Sequence, residues 1–374
     1  MGDEVMAGTT STSNAPETGG SLKVSALHRR FADYFDPRPA LYWADMLLST
    51  ALGWGTFAAI LWLPAGHPLK VLLWAVCVLA MYRAVLFIHE LSHLRRGAVP
   101  GLETVWTLIV GLPFLVPSLM YVGPHNDHHR RMIFGTEEDP EYEPMATWSP
   151  LRIAMSGLAL LFVQPLLVLR WGVLGPLSWV IPPLRKVVVE QASSLIINPA
   201  YRRKFPTGND RTRWRLQEGG FAVWVWLMVA AYWYGYLPTA VIVQCYWLTA
   251  SILMINHVRT LAAHRYISDG APMDGVGQLL DSVNLEGNYV TTALAAPVGL
   301  RFHALHHLLP SMPYHNLGAV HRALRAELPA DSPYHRAGIQ GIASGLYSLF
   351  YQARRGGSGG EGPSLDGPQP VEAG

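Results

Sequence analysis

Residues 69–93 read LKVLLWAVCVLAMYRAVLFIHELSH, an apolar run from Leu69 to Ile88 that passes without a break into His89-Glu-Leu-Ser-His93. About twenty apolar residues make a helix long enough to cross roughly 30 Å of hydrocarbon. Positions i and i+4 share a helix face, so His89 and His93 point into one small volume where the span leaves the lipid. A membrane-length helix ending in paired imidazoles predicts a membrane protein with a metal site at the membrane edge.

The same pattern returns twice, as His125-Asn-Asp-His128-His129 and as His303-Ala-Leu-His306-His307. Eight of the chain's 15 histidines lie in these three short boxes. Three imidazoles at i, i+3 and i+4 crowd one face, an arrangement that rarely persists without a metal. The fold must therefore bring the boxes together.

Composition supports a chain solvated partly by lipid. Of 374 residues, 50% are hydrophobic and 14% charged, and the mean hydropathy is +0.20. A soluble domain carries about 25% charged residues. Thirteen Trp and sixteen Tyr suit the membrane–water boundary. The net charge of +2 says little by itself, and no nucleic-acid partner is expected. Cys77 and Cys245 both sit in apolar runs, which argues against a disulfide framework or a CxxC metal knot. The N-terminus has no apolar core preceded by basic residues, so no cleaved signal peptide is expected.

Residues 1–22 and 356–374, rich in Gly, Ser and other small or polar residues, are expected to be disordered, leaving 23–355 as one membrane domain. A first apolar run, Leu41 to Leu63, is joined to the Leu69 run by the turn-forming Pro64-Ala-Gly-His67-Pro68, making a transmembrane hairpin. Residues 104–121 are apolar but interrupted by Gly111, Pro113 and Pro117. A single crossing there would put the second box a bilayer away from the first. A re-entrant segment is therefore expected, entering and leaving on one side and surrounded by protein. Residues 151–183, broken by Pro165, Arg170, Pro176 and Pro182-Pro183, read as an interfacial helix or a short hairpin. Residues 185–218 are polar and basic and belong in water. Phe221 to Tyr236 and Pro238 to Asn256 form a second hairpin, its outer end marked by Tyr232-Trp233-Tyr234 and Tyr236.

Charge placement orients the chain. Of 28 Lys and Arg, only Lys70 falls in or beside the two short loops assigned to the outside. Basic residues accumulate in cytoplasmic loops, so all three boxes are expected to face the cytoplasm.

Imidazole suits iron, copper, zinc and nickel. Eight donors exceed the four or so that one zinc takes, so the boxes predict two metals sharing about eight to ten ligands. Carboxylate di-metal bundles use four Glu and two Glu-x-x-His pairs. Only Glu90-Leu-Ser-His93 has that form, which leaves a histidine-rich di-iron centre.

His89-x-x-x-His93, His125-x-x-His128-His129 and His303-x-x-His306-His307 together resemble the three-box pattern of the integral-membrane fatty acid desaturases and related hydroxylases. The ending from His307 through His315 to Leu317 is similar too. The resemblance covers roughly residues 40–335. It implies an all-α membrane fold, with four main transmembrane helices as two hairpins and a cytosolic helical cap. It also implies a non-haem di-iron oxidase that uses O2 as co-substrate on a lipid or acyl chain.

By the resemblance the eight box histidines are iron ligands, and His264, just after the last membrane helix, is a ninth. His257, seven residues earlier, sits at the membrane edge and is left out. Two departures matter. Thr260 stands where some relatives have Asn, which puts a water-bridged ligand there in doubt. No His-Pro-Gly-Gly haem-binding core is present, so electrons are expected from a separate ferredoxin, rubredoxin or cytochrome b5 type donor with its reductase. Desaturation is the expected reaction, with hydroxylation or carotenoid-type ketolation as the family alternative.

No acid, base or nucleophile is singled out beyond the ligands. Glu90, Asp127, Asn288 and His315 are candidates to hydrogen-bond ligand imidazoles. His28, His67, His321 and His335 read as solvated or structural. His89-Glu90-Leu-Ser-His93 is also a His-Glu-x-x-His, the zinc-protease motif in which Glu90 would be the base. That reading leaves the other boxes unused and needs a third ligand, for which Asp274 and Asp281 are the guesses. A histidine-rich transporter would need polar residues along the spans, and the runs offer almost none beyond Asp45, Gln164 and Gln244.

Overall fold

The computed structural model describes residues 22–356. The expected disordered tails, 1–22 and 356–374, lie outside the described residues except for Leu22 and Gly356. The described residues are mostly helical. The strands are two residues each, Asn284–Leu285 paired in parallel with Gly338–Ile339.

Helices α1 (Pro39–Trp62) and α2 (Leu69–His93) pack antiparallel. The pairing reads from their contacts: the Tyr42 hydroxyl donates to Glu90 at 2.6 Å, Arg83 Nε to Asp45 at 2.7 Å, and Cys77 Sγ to the Gly53 carbonyl at 3.4 Å. Lipid tails are as apolar as these side chains, so close packing, not hydrophobicity, holds such helices together. Gly53 permits it, because a Cβ there would lie 2.1 Å from Met81 Sδ. Tyr42, Met46, Phe57, Met81, Tyr82 and Phe87 fill the seam.

The expected re-entrant stretch begins as α3 (Leu102–Gly111), too short to cross a bilayer. It descends beside α1 and α2, its Trp106 indole donating to the Ala84 carbonyl and its Ile109 carbonyl accepting from Trp54. The chain then reverses. Val116 N–H bonds back to the Gly111 carbonyl at 2.8 Å, Leu115 takes a φ of 60°, and a Cβ on Gly111 would sit 2.6 Å from the Val116 oxygen. Ser118 comes back to the level where the stretch began, donating to Glu103 at 2.8 Å. From there α4 (Leu119–His128) delivers the second box beside the first.

Four helices are long and apolar enough to cross a membrane: α1, α2, α5 (Pro150–Val180) and α7 (Thr239–Leu261). This differs from the sequence reading, which makes Phe221–Tyr236 a span and 151–183 an interfacial helix or a short hairpin. The Phe221 run is instead the latter half of a longer helix, α6 (Gly208–Trp233), whose first half is polar. Pro165 and Pro176 do not break α5, because each follows a non-α turn that leaves no bond for the missing N–H to make. Its early part lies along α7, with Ser156 Oγ 3.0 Å from His257 Nε2 and Tyr246 donating to the Leu161 carbonyl. Further along, Arg170, Trp179 and, just beyond the helix, Arg185 all bond Glu218 of α6. Three residues spread over fifteen positions cannot meet one carboxylate unless this stretch crosses α6 at a single level. Consistent with this, α6 and α7 pack more against α5 than against each other, so they do not form the close hairpin expected from the sequence.

The polar end of the bundle is closed by residues 262–340. Here α8 (Gly275–Asp281), α9 (Tyr289–Ala295), α10 (His303–Leu308) and α11 (Tyr314–Glu327) are laced by short bridges. His264 pairs with Ser282, and Asn284 with Phe302. The Asn284 side chain accepts from Leu305 N–H at 3.1 Å, fixing the start of the third box.

Candidate metal centre

Nine imidazoles converge at this end of the bundle. His89 and His93 come from the last turn and a half of α2, and His125, His128 and His129 from the end of α4. His264 comes from the bend after α7, and His303, His306 and His307 from α10. All are buried except His93 and His129, which are half-buried.

They sort into two groups. The ring nitrogens of His89, His93, His125, His129 and His306 lie within 4.8 Å of one another, as do those of His128, His264 and His307. His303 joins the latter group, its Nε2 lying 3.0 Å from His264 Nε2 and 3.2 Å from His307 Nε2. In the first group His129 Nε2 is 3.1 Å from the Nε2 atoms of both His125 and His306. The groups adjoin, with the His129 and His307 rings stacked at 4.4 Å.

The donor chemistry fits metal ions. Nitrogens about 2.1 Å from one cation and at right angles to each other are about 3 Å apart, the spacing found here. Both ring nitrogens of His89 and Nε2 of His93 are buried without any hydrogen-bond partner, a costly state for polar atoms unless something else engages them. Burial also holds His125, His129, His303, His306 and His307 well below the ordinary histidine pKa. Neutral rings keep a lone pair free to bind a cation.

Three carboxylates aim three of the rings. Glu141 Oε1 is 2.8 Å from His125 Nδ1, Asp139 Oδ1 2.8 Å from His128 Nδ1, and Asp281 Oδ2 2.9 Å from His264 Nδ1. A carboxylate at Nδ1 fixes the proton there and turns Nε2 inward. Burial opposes charge on His128, but Asp139 outweighs it and raises the pKa. Burial raises Glu141 to about 7. Asp139 is itself built in, accepting from Gly135 and Glu141 N–H. Asp281 also accepts from the Tyr142 hydroxyl and from Ile267 N–H.

Sequence reasoning singles out none of these three carboxylates for this role; Asp281 figures there only as a guessed protease ligand. The residues expected to orient the ligands lie elsewhere. Glu90 accepts from Tyr42 and from Tyr314 N–H and stays 3.9 Å from His89 Nδ1. Asp127 accepts from the Tyr201 hydroxyl at 2.8 Å and pairs with Arg130. Asn288 caps α9 by accepting from Thr291 N–H. His315 Nε2 accepts from Arg38 N–H. His257 rests on Ser156, outside the cluster. Thr260 donates to the Asn256 carbonyl. Asp274 caps α8.

Residues 68–338 match the fatty acid desaturase family. A ceramide hydroxylase from Caulobacter vibrioides (strain NA1000 / CB15N) is 40% identical over 329 residues, spanning 86% of this chain and 92% of that protein. With the three boxes and the late histidine gathered at one end of an apolar helical bundle, the chain belongs to the fatty acid desaturase family.

Proposed function

We propose that the chain is an oxygen-dependent oxidase of the hydrocarbon chain of a membrane lipid, acting at two iron ions. One iron is held by His89, His93, His125, His129 and His306, the other by His128, His264, His303 and His307. The observation that carries this reading is the convergence of nine imidazoles, seven of them buried, into two adjoining groups. Bound there, iron would supply activation of dioxygen, the hard chemistry that an unactivated methylene requires. The protein's own part is positioning. Asp139, Glu141 and Asp281 hold three ligands in one tautomer, and the packed cap over α10 keeps the centre out of water.

Hydroxylation is the product we favour, since the 40%-identical relative is named for that reaction on ceramide. Desaturation is the alternative, supported by the ending from His307 to Leu317. A zinc protease accounts for two of the nine histidines, and Glu90 is turned toward Tyr42 and Tyr314. In the membrane, α1, α2, α6 and α7 cross, α3 is re-entrant, and α5 lies near the cytoplasmic boundary, held there by Glu218. The metal centre faces the cytoplasm, where the basic residues gather and a separate donor protein delivers electrons.

Expression in a host with simple lipids, followed by mass spectrometry, tests the reading. A lipid that gains one oxygen supports hydroxylation, and one that loses two hydrogens supports desaturation. If an iron-loaded enzyme with a competent reductase changes no host lipid, the proposal fails.

A further inference from the structure

A cleft of about 910 Å³ opens between α9, the turn that leads into α10, and α11. Arg83, Arg301, Arg322 and Arg325 all line it. Among the described residues their carboxylate partners are two: Asp45, paired with Arg83, and Glu286, 3.6 Å from Arg325 Nε. Four guanidiniums against two carboxylates leave two positive charges over.

Arg301 is the least satisfied of the four. Its Nε and Nη1 are buried and have no hydrogen-bond partner. Its guanidinium carbon lies 4.8 Å from the Tyr289 ring centroid and 5.0 Å from that of Phe302, so the plane is held while its donors stay vacant. Arg301 as a whole is half-buried, but buried N–H donors without an acceptor are expensive. A fixed fork of N–H donors is the geometry that grips phosphate oxygens in pairs.

The mouth of the cleft lies beside α9, whose Tyr289, Val290 and Leu294 are exposed by 71%, 61% and 49%. Helix α9 is tied to the spanning helix α2, Tyr82 donating to the Ala295 carbonyl at 3.0 Å. Apolar side chains at the rim and arginines within make a place where hydrocarbon meets a charged group. Phe302, in the wall, immediately precedes the ligand His303.

We propose that this cleft binds a phosphate-type anion, gripped by Arg301 with Arg322 and Arg325. Its source is the headgroup of a phosphate-bearing membrane lipid, whose tails lie along α9, or free phosphate. The proposal stands apart from the reaction catalysed; the lipid as source rests on the membrane reading of the chain.

The test is ligand binding to the full-length protein in detergent, read by native mass spectrometry, which needs neither iron nor turnover. The probes are dioctanoyl phosphatidylglycerol, dioctanoylglycerol with the same tails and no phosphate, and inorganic phosphate. The phospholipid is expected to bind about tenfold more tightly than dioctanoylglycerol. Arg301→Gln and Arg322→Gln should each weaken phospholipid binding about tenfold and leave dioctanoylglycerol unchanged. Inorganic phosphate that binds alone, with the same sensitivity to both variants, supports the site with soluble phosphate as source; phosphatidylglycerol alone identifies the headgroup. Equal binding of the two lipids overturns the proposal. So does Arg322→Gln, at an exposed position where folding is not at stake, if it leaves phospholipid affinity within about twofold of wild type.

Discussion

Asp281→Asn isolates one metal group from the other by changing a single atom. Asp281 Oδ2 faces His264 Nδ1 at 2.9 Å, while Oδ1 accepts from the Tyr142 hydroxyl at 2.9 Å and from Ile267 N–H at 2.8 Å. An asparagine must put its NH2 on one side or the other. Facing Tyr142 and Ile267, it opposes two donors and loses two buried hydrogen bonds, each about 1–3 kcal/mol. Facing His264, it keeps both bonds but requires Nδ1 to accept, which moves the ring proton to Nε2, the atom 3.0 Å from His303 Nε2. The latter arrangement costs less in folding and removes His264 as a ligand. Loss of such a carboxylate lowers metal affinity by about 10–100-fold, or roughly 1.4–2.8 kcal/mol. Under chelator titration with elemental analysis, the variant is expected to give up one of its two metals at about 10–100-fold lower chelator concentration than wild type. Asp127→Asn, whose carboxylate bonds Tyr201 and Arg130, should behave like wild type. Identical metal retention in Asp281→Asn and Asp127→Asn would refute the assignment of His264.

Glu90→Gln keeps an oxygen for Tyr42 and Tyr314 N–H, so lipid oxidation measured by mass spectrometry should fall less than about tenfold; complete loss would restore Glu90 to the chemistry. Glu218→Ala leaves Arg170, itself 3% exposed, without its carboxylate, and should cost about 3–5 kcal/mol; a thermal midpoint unchanged from wild type would remove Glu218 as the anchor of α5. His321 is held down to about pKa 4 by burial and by Arg325, Arg301 and Arg322. A depressed histidine means that the unfolded chain takes up the proton first as pH falls. Its contribution is therefore complete above the ordinary histidine value of 6.5 and lost as pH drops toward 4. His321→Asn should flatten that part of the melting profile, and equal slopes in variant and wild type would contradict the assignment.

The candidate ligands are legible in the sequence because a metal site would impose spacing. One box at i and i+4, two at i, i+3 and i+4, and one histidine just past an apolar helix mark themselves, and all nine meet. The reversal of the chain within 104–121 is legible by exclusion, since a straight run through that stretch would part His125 from His89. The carboxylates behind the ligands carry no such mark. Glu90 and Asp127 are the ligands' neighbours in sequence, but a residue one step along a helix points about 100° away, and they turn to Tyr42 and Tyr201. The true partners sit 16, 11 and 17 residues from their histidines, separations that only the folded chain closes. The acidic run from Glu137 to Glu141, a short stretch beyond the His125 box, is the available clue. Hydropathy marks only the apolar half of α6: a helix that begins polar and ends apolar reads as a short span starting at Phe221.

The central claim is that the nine histidines hold two ions, one in each group. Anomalous diffraction at the iron edge on crystals of the purified protein tests it directly. The expected map has two iron peaks, one among His89, His93, His125, His129 and His306 and one among His128, His264, His303 and His307. A single peak beside His89 and His93 that appears at the zinc edge and not at the iron edge would contradict it.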